Sequence, residues 1–194
     1  MAKLERKAAA VLAAAITIAI GGPAKAEESP STIVVHIANH ANVAPKVLDM
    51  AMVRAASVFE LIDVPLRWDP SGLAVSRVEN GEVHFNVLLL TRDMREKTIA
   101  ADGLNRNLLG YAHLPSGRAY VFPDRIWKLN GVPTAFSARL GDVIAHEVGH
   151  LLLRVMKHSS RGIMRPSLAE HSDLVQTFNR DEARTIRTAL LASR

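Results

Sequence analysis

The chain contains no cysteine. Disulfide staples, thiolate zinc sites, iron–sulfur clusters, cysteine nucleophiles and cysteine-switch zymogens are all excluded by that absence. Aromatic residues are scarce at 5%, so any core must rest on Leu, Ile, Val, Ala and Met. There is no internal repeat, no low-complexity tract and no plausible linker. Past the N-terminal segment no lysine- or arginine-rich run occurs, and the two tryptophans and two tyrosines are scattered, which gives a nucleic-acid-binding reading little support. No G-x-S-x-G elbow, P-loop or G-x-G-x-x-G is present, so no cofactor-binding loop is expected. What remains is 194 residues, 48% hydrophobic and 22% charged, enough for one domain with a sizeable core.

The N-terminus carries Lys3, Arg6 and Lys7 against Glu5, then the uncharged run Ala8 to Ile20, then Gly21-Gly22-Pro23. Ala24-Lys25-Ala26 follows as an A-x-A pattern, and Glu27-Glu28-Ser29-Pro30 is polar. Charged, apolar and small-residue regions in that order predict a secretory signal peptide over residues 1–26. The uncharged run makes only about 20 Å of helix, short of the roughly 30 Å hydrocarbon core, which argues against an uncleaved anchor. Cleavage would remove Lys3, Arg6, Lys7, Lys25 and Glu5, and so lower the formal net charge from +5 to +2. The expected location is secreted or periplasmic, with no stable membrane insertion after the leader is removed.

Thr32 to Ala38 is β-branched and apolar and predicts a buried strand. Pro45 opens a helical pattern that sets Leu48, Ala51, Met52, Ala55, Phe59 and Ile62 on one face. Pro65 ends it, Leu66 to Trp68 reads as a short strand, and Asp69-Pro70-Ser71-Gly72 as a turn. Val83 to Leu90 is apolar on both faces towards its end, as in a central strand. Thr91 to Asn107 is charged and irregular, a loop or a short helix. Leu109 to His113 and Ala119 to Phe122 are short strands joined through Leu114 to Gly117. Pro133-Thr134 starts a helix reaching about Arg154, and Asn179 caps a final amphipathic helix to Leu191. The order predicts a single α+β domain over residues 27–194, a small mixed β-sheet packed with an N-terminal helix and an active-site helix, plus a C-terminal helix.

His146-Glu147-Val148-Gly149-His150 is an H-E-x-x-H motif. Residues four apart on a helix lie one turn apart on one face, so both imidazoles can bind one metal ion. Glu147, about 100° round the helix, can reach a metal-bound water without displacing either ligand. Zinc suits the set because it accepts neutral imidazole nitrogens and keeps a position open for water. On the same helix Leu140, Ile144, Val148, Leu151, Leu152 and Val155 form a core stripe, and Arg139 and Asp142 share the histidines' polar face. Asp142, one turn before His146, is either a support for that ring's free nitrogen or merely solvated. His36, His40, His84, His113 and His171 are isolated and read as ordinary polar residues.

The motif, followed by His158 and Gly162-Ile163-Met164-Arg165-Pro166, resembles the metzincin zinc peptidases, and most of all the matrixins. There a third histidine follows the helix, and a tight turn with a buried methionine lies under the metal. The resemblance covers Gly110 to Pro166. It implies a metzincin-like zincin fold holding one catalytic Zn2+, with His146, His150 and His158 as ligands, Glu147 as general base and Met164 as the turn methionine. Gly110 to His113 and Ala119 to Phe122 look like the edge strand and adjoining strand of a metzincin cleft. Two departures stand out. His158 lies eight residues after His150 rather than six, and Leu153 stands where the family has its helix-ending glycine. The helix is therefore expected to end without a glycine, a turn later.

The resulting expectation is a secreted zinc-dependent metalloendopeptidase acting on a peptide or protein substrate. Two alternatives stand beside it. One is a peptidase whose third ligand is a glutamate, Glu170 or Glu182. The other is a non-catalytic secreted zinc-binding or interaction protein on the same fold.

Overall fold

The computed structural model of the protein describes residues 32–73, 78–79, 81–130, 132–166 and 175–192. The expected leader, residues 1–26, lies outside them, as do Glu170 and His171. Strand β1 (Thr32–Asn39) leads through helix α1 (Pro45–Glu60) to β2 (Leu66–Asp69). A short β3 (Val78–Glu79) turns into β4 (Glu82–Leu89), followed by α2 (Arg92–Asp102), β5 (Gly110–His113) and β6 (Arg118–Val121). Among the described residues three helices follow: α3 (Pro123–Asn130), α4 (Pro133–Leu153) and α5 (Arg180–Leu191).

The sheet runs β2-β1-β4-β6-β5. The β1–β2, β1–β4 and β4–β6 pairs are parallel, and β5 closes the edge antiparallel to β6. Because side chains alternate along a strand, Ile33, Val35, Val83, Val87, Leu89, Ala119 and Val121 enter the main core with α1, α4 and α5. On the opposite face Leu88, Leu90 and Phe122 form a smaller cluster against Met94 of α2. This is the mixed α+β sheet-and-helix arrangement expected from the sequence.

Two segments differ from that expectation. The charged stretch after β4 folds as α2, started by Thr91, whose side chain accepts from the Met94 N–H, and ended by Gly103 in the left-handed region. Its Arg95 is buried and pairs with Asp124 at the start of α3, so charge within α2 is internal rather than solvated.

Helix α4 is the second. Instead of one apolar stripe and one polar face, it is buried on nearly all sides from Phe136 to Leu152, being packed by α1, α3, α5, β5 and β6. Arg139 and Asp142 are buried with it. Asp142 neither supports His146 nor meets solvent: Arg54 of α1 grips it, Nε to Oδ1 at 2.7 Å and Nη2 to Oδ2 at 3.3 Å. Burial raises the Asp142 carboxyl above its ordinary range, against the pull of that guanidinium. Val155, assigned to the stripe, lies past the helix end and is exposed.

Candidate metal centre and cleft

The C-terminal half of α4 delivers His146, Glu147 and His150 to one place because the helix period brings residues 146 and 150 one above the other. The helix then stops at Leu153, with Arg154 as its cap, and not a turn later. Arg154 takes the left-handed conformation at φ 53° that a glycine usually occupies. The reversal brings the carbonyl of Val155 back to His150, whose Nδ1 donates to it at 2.7 Å. His146 Nδ1 donates to the carbonyl of Ile163 at 2.8 Å. Both rings are thereby held in the tautomer that leaves Nε2 as a bare lone pair.

Those lone pairs converge on a third. The Nε2 atoms of His146 and His150 lie 3.0 Å apart, and the Nε2 of His158 lies 3.2 Å from the first and 3.3 Å from the second. Three imidazole nitrogens bound tetrahedrally to one zinc ion sit about 3.3 Å apart. Two bare lone pairs at 3.0 Å repel unless a cation lies between them, so the donor set fits a divalent metal. Burial, reinforced by the two neighbouring imidazoles, pulls His146 down to about 4 despite its hydrogen bond to Ile163. Burial likewise lowers His150. Both rings are therefore neutral at physiological pH, the form that binds metal.

His158 itself is exposed, and the turn after it is held from elsewhere. Ser159 N–H donates to the Met164 carbonyl at 2.8 Å, and Ile163 N–H donates to Thr177 at 2.9 Å. Met164 is buried beneath α4, where a Cβ on Gly149 would come within 2.7 Å of its sulfur. A side chain at position 149, inside the motif, would therefore have to push aside Met164 and Phe178.

Glu182 is not drawn into the histidine cluster. It forms a capping box with Asn179 at the start of α5, its Oε2 accepting from the Asn179 N–H at 2.8 Å. Its other oxygen accepts from the Ser159 hydroxyl, so the rival ligand instead steadies the segment next to His158. Among the described residues, the group arranged to hold a metal is His146, His150 and His158. His113 bonds Ser116 at 2.7 Å and stands apart from it.

Glu147 lies against the edge strand. The backbone N–H of Ala112 donates to its carboxylate, while burial, the larger effect, pushes the carboxyl up to about 8. A Cβ on Gly110 would stand 2.6 Å from Glu147 Oε1, so the close seating of the acid on β5 depends on that glycine. The Phe122 N–H bonds the Leu109 carbonyl. By ladder alternation the polar groups of Gly110 and Ala112 therefore point away from β6, along the free edge. Between this edge and α4 runs a cleft of about 300 Å³, walled by Leu108, Tyr111, Leu129, Val143, Met156 and Pro166.

No family model and no curated protein sequence matches the chain. Among solved structures it is similar to an archaemetzincin from Methanopyrus kandleri, at 17% identity and a TM-score of 0.53. The match covers 83% of this chain and 97% of that one. A zinc-dependent peptidase from Methanocorpusculum labreanum aligns at 15% identity and a TM-score of 0.46, over 80% and 99% of the two chains. The first likeness is one of fold.

Proposed function

We propose that this chain is a zinc-dependent metalloendopeptidase, with His146, His150 and His158 as metal ligands and Glu147 as general base. The observation that carries the reading is the convergence of three Nε2 atoms within 3.0–3.3 Å, two of them fixed as lone pairs by backbone carbonyls, beside a buried carboxyl. The similarity in fold to an archaemetzincin supports it, as does the resemblance of the motif to metzincins. The lengthened spacing to His158 sets the chain apart from the matrixin pattern.

Bound zinc supplies Lewis-acid polarisation of the substrate carbonyl and of water. The rest falls to the chain. The free edge of β5 offers the backbone groups of Gly110 and the carbonyl of Ala112 to an extended peptide, which aligns the scissile bond above α4. A cation held by the three histidines would favour the ionised form of Glu147 against the effect of burial, and the carboxylate, held by the Ala112 N–H, would take the proton of the attacking water and pass it to the leaving amine nitrogen. The apolar cleft walls exclude bulk water from that transfer.

The leader pattern at residues 1–26 supports export, so the substrate would be met outside the cytoplasm, and the mature chain would begin at Glu27. Intact-mass analysis of exported protein that still carries residues 1–20 would refute this. For the activity, zinc content and hydrolysis of an unfolded protein such as casein are measured together. One zinc per chain with chelator-sensitive cleavage is the expected result. Zinc without cleavage would assign the chain to the non-catalytic alternative.

A further inference from the structure

One guanidinium in the cleft has no part in the proposed chemistry. Arg165 follows Met164 directly and lines the cleft beside Val143, His146 and Glu147. Its Nε is buried and meets no hydrogen-bond acceptor among the described residues. Buried N–H donors are almost always satisfied, and an arginine fork matches a carboxylate with two parallel bonds.

The surroundings sharpen the demand for an anion. Arg139, two turns before His146 on α4, is buried, and Arg165 acts on it as a like charge. Asp142 attracts Arg139, yet both its oxygens are bound to Arg54. Among the described residues no carboxylate is ion-paired with Arg139 or Arg165. Among the described residues, the one acidic side chain lining the cleft, Glu147, accepts from Ala112 and is assigned to proton transfer. Leu129 and Met156, both largely exposed, flank the opening with apolar surface suited to methylene groups that lead to a charged end.

We propose that Arg165, backed by the field of Arg139, binds a carboxylate of the substrate, making the cleft selective for peptides that place an acidic side chain or a free C-terminus beside the scissile bond. This rests on the peptidase reading and adds a substrate class to it. Arg165 acts on the peptide and not on the metal. A charge-assisted pair replaced by a neutral one changes discrimination by roughly 10- to 100-fold.

The test uses zinc-loaded protein and peptides matched in pairs: Glu against Gln at each position around the cut, and free acid against amide at the C-terminus. Two quantities are read, kcat/KM with the wild type and affinity by calorimetry with Glu147→Gln, which is expected to hold peptide without cutting it. A preference of tenfold or more for the carboxylate member should appear in both, and the pair that shows it identifies side chain or terminus as the source. Arg165→Gln should bring the ratio to about one, Arg165→Lys should restore part of it, and Arg165→Glu should reverse it in favour of lysine peptides. Cleavage with equal rates and affinities for both members, or a ratio unmoved by Arg165→Gln, would overturn the carboxylate site while leaving the peptidase reading intact. Carboxylate-selective binding lost in Arg165→Gln, without any hydrolysis by the wild type, would do the opposite.

Discussion

His36 and His84 bring their rings together across β1 and β4, as His146, His150 and His158 do at the end of α4, and the two groups differ in what their outer nitrogens meet. His36 Nε2 lies 3.0 Å from His84 Nδ1. Beyond them Asp69 stands 3.6 Å from the other nitrogen of His36, and Glu82 stands 3.5 Å from that of His84. Glu82 is itself gripped by Arg67 through both oxygens at 3.0 Å. One ring donates to the other and carboxylates stand at ion-pair distance at both ends, although His36 Nδ1 itself makes no hydrogen bond among the described residues. At α4 the outer nitrogens of His146 and His150 are spent on carbonyls, which accept and never donate. All the inner nitrogens can then offer is lone pairs. Proximity of imidazoles is common to both sites, and the partner of the second nitrogen separates a proton-sharing pair from a metal cradle.

The sharpest way to break this comparison is at Glu147. Glu147→Gln should lower casein hydrolysis by roughly 10²–10⁴-fold with zinc stoichiometry retained, as metal analysis of the purified variant would show. Wild-type turnover would remove Glu147 from the role of base, and loss of zinc would make it a ligand. Next in size, His158→Ala should weaken zinc binding by more than the roughly 10–100-fold that loss of a supporting partner costs. His36→Ala and Glu182→Ala should leave the stoichiometry in place. Competition titration with a chelator ranks the three, and a zinc deficit in His36→Ala would erase the distinction between the two histidine groups.

A smaller effect is expected at Gly110. The added methyl of Gly110→Ala must displace the Glu147 carboxylate, and a shift of about 1 Å in a reacting group costs on the order of 10²-fold. The loss should fall on kcat with zinc content unchanged. Smallest of all, Asn179→Ala removes the cap of α5 and should cost about 1 kcal/mol in denaturant unfolding. A midpoint equal to the wild type's would show that the cap does not hold α5.

How much of this follows from sequence depends on the range of the determining contacts. Helix α4, its motif and the strands β1, β4, β5 and β6 announce themselves through local periodicity and local turn residues. Helix α2 does not, because its buried Arg95 is paired with Asp124, twenty-nine residues on, and a charge buried in a pair looks like a solvated one in a hydropathy pattern. The same blindness made Asp142 ambiguous until α1 supplied Arg54 from eighty-eight residues away. Arg154 was hidden for a different reason: nothing in an arginine's identity foretells a left-handed backbone, which only the returning Val155 carbonyl explains. His158 was reached through family likeness, and its neighbour Ser159, tied to the cap of α5, by no signal at all.

That tie sets the order in which the molecule comes apart. His146 and His150 stand on a helix buried along its length and are released only with the core. His158 stands on a segment moored to Thr177 and Glu182, so its position has the lifetime of the α5 start rather than of the sheet. Opening of that end alone would turn a three-point grip into a two-point one while the fold persists. Amide exchange at Ser159 and Ile163 should then keep pace with the first turn of α5 and run ahead of α4, and metal should leave on warming before the protein melts.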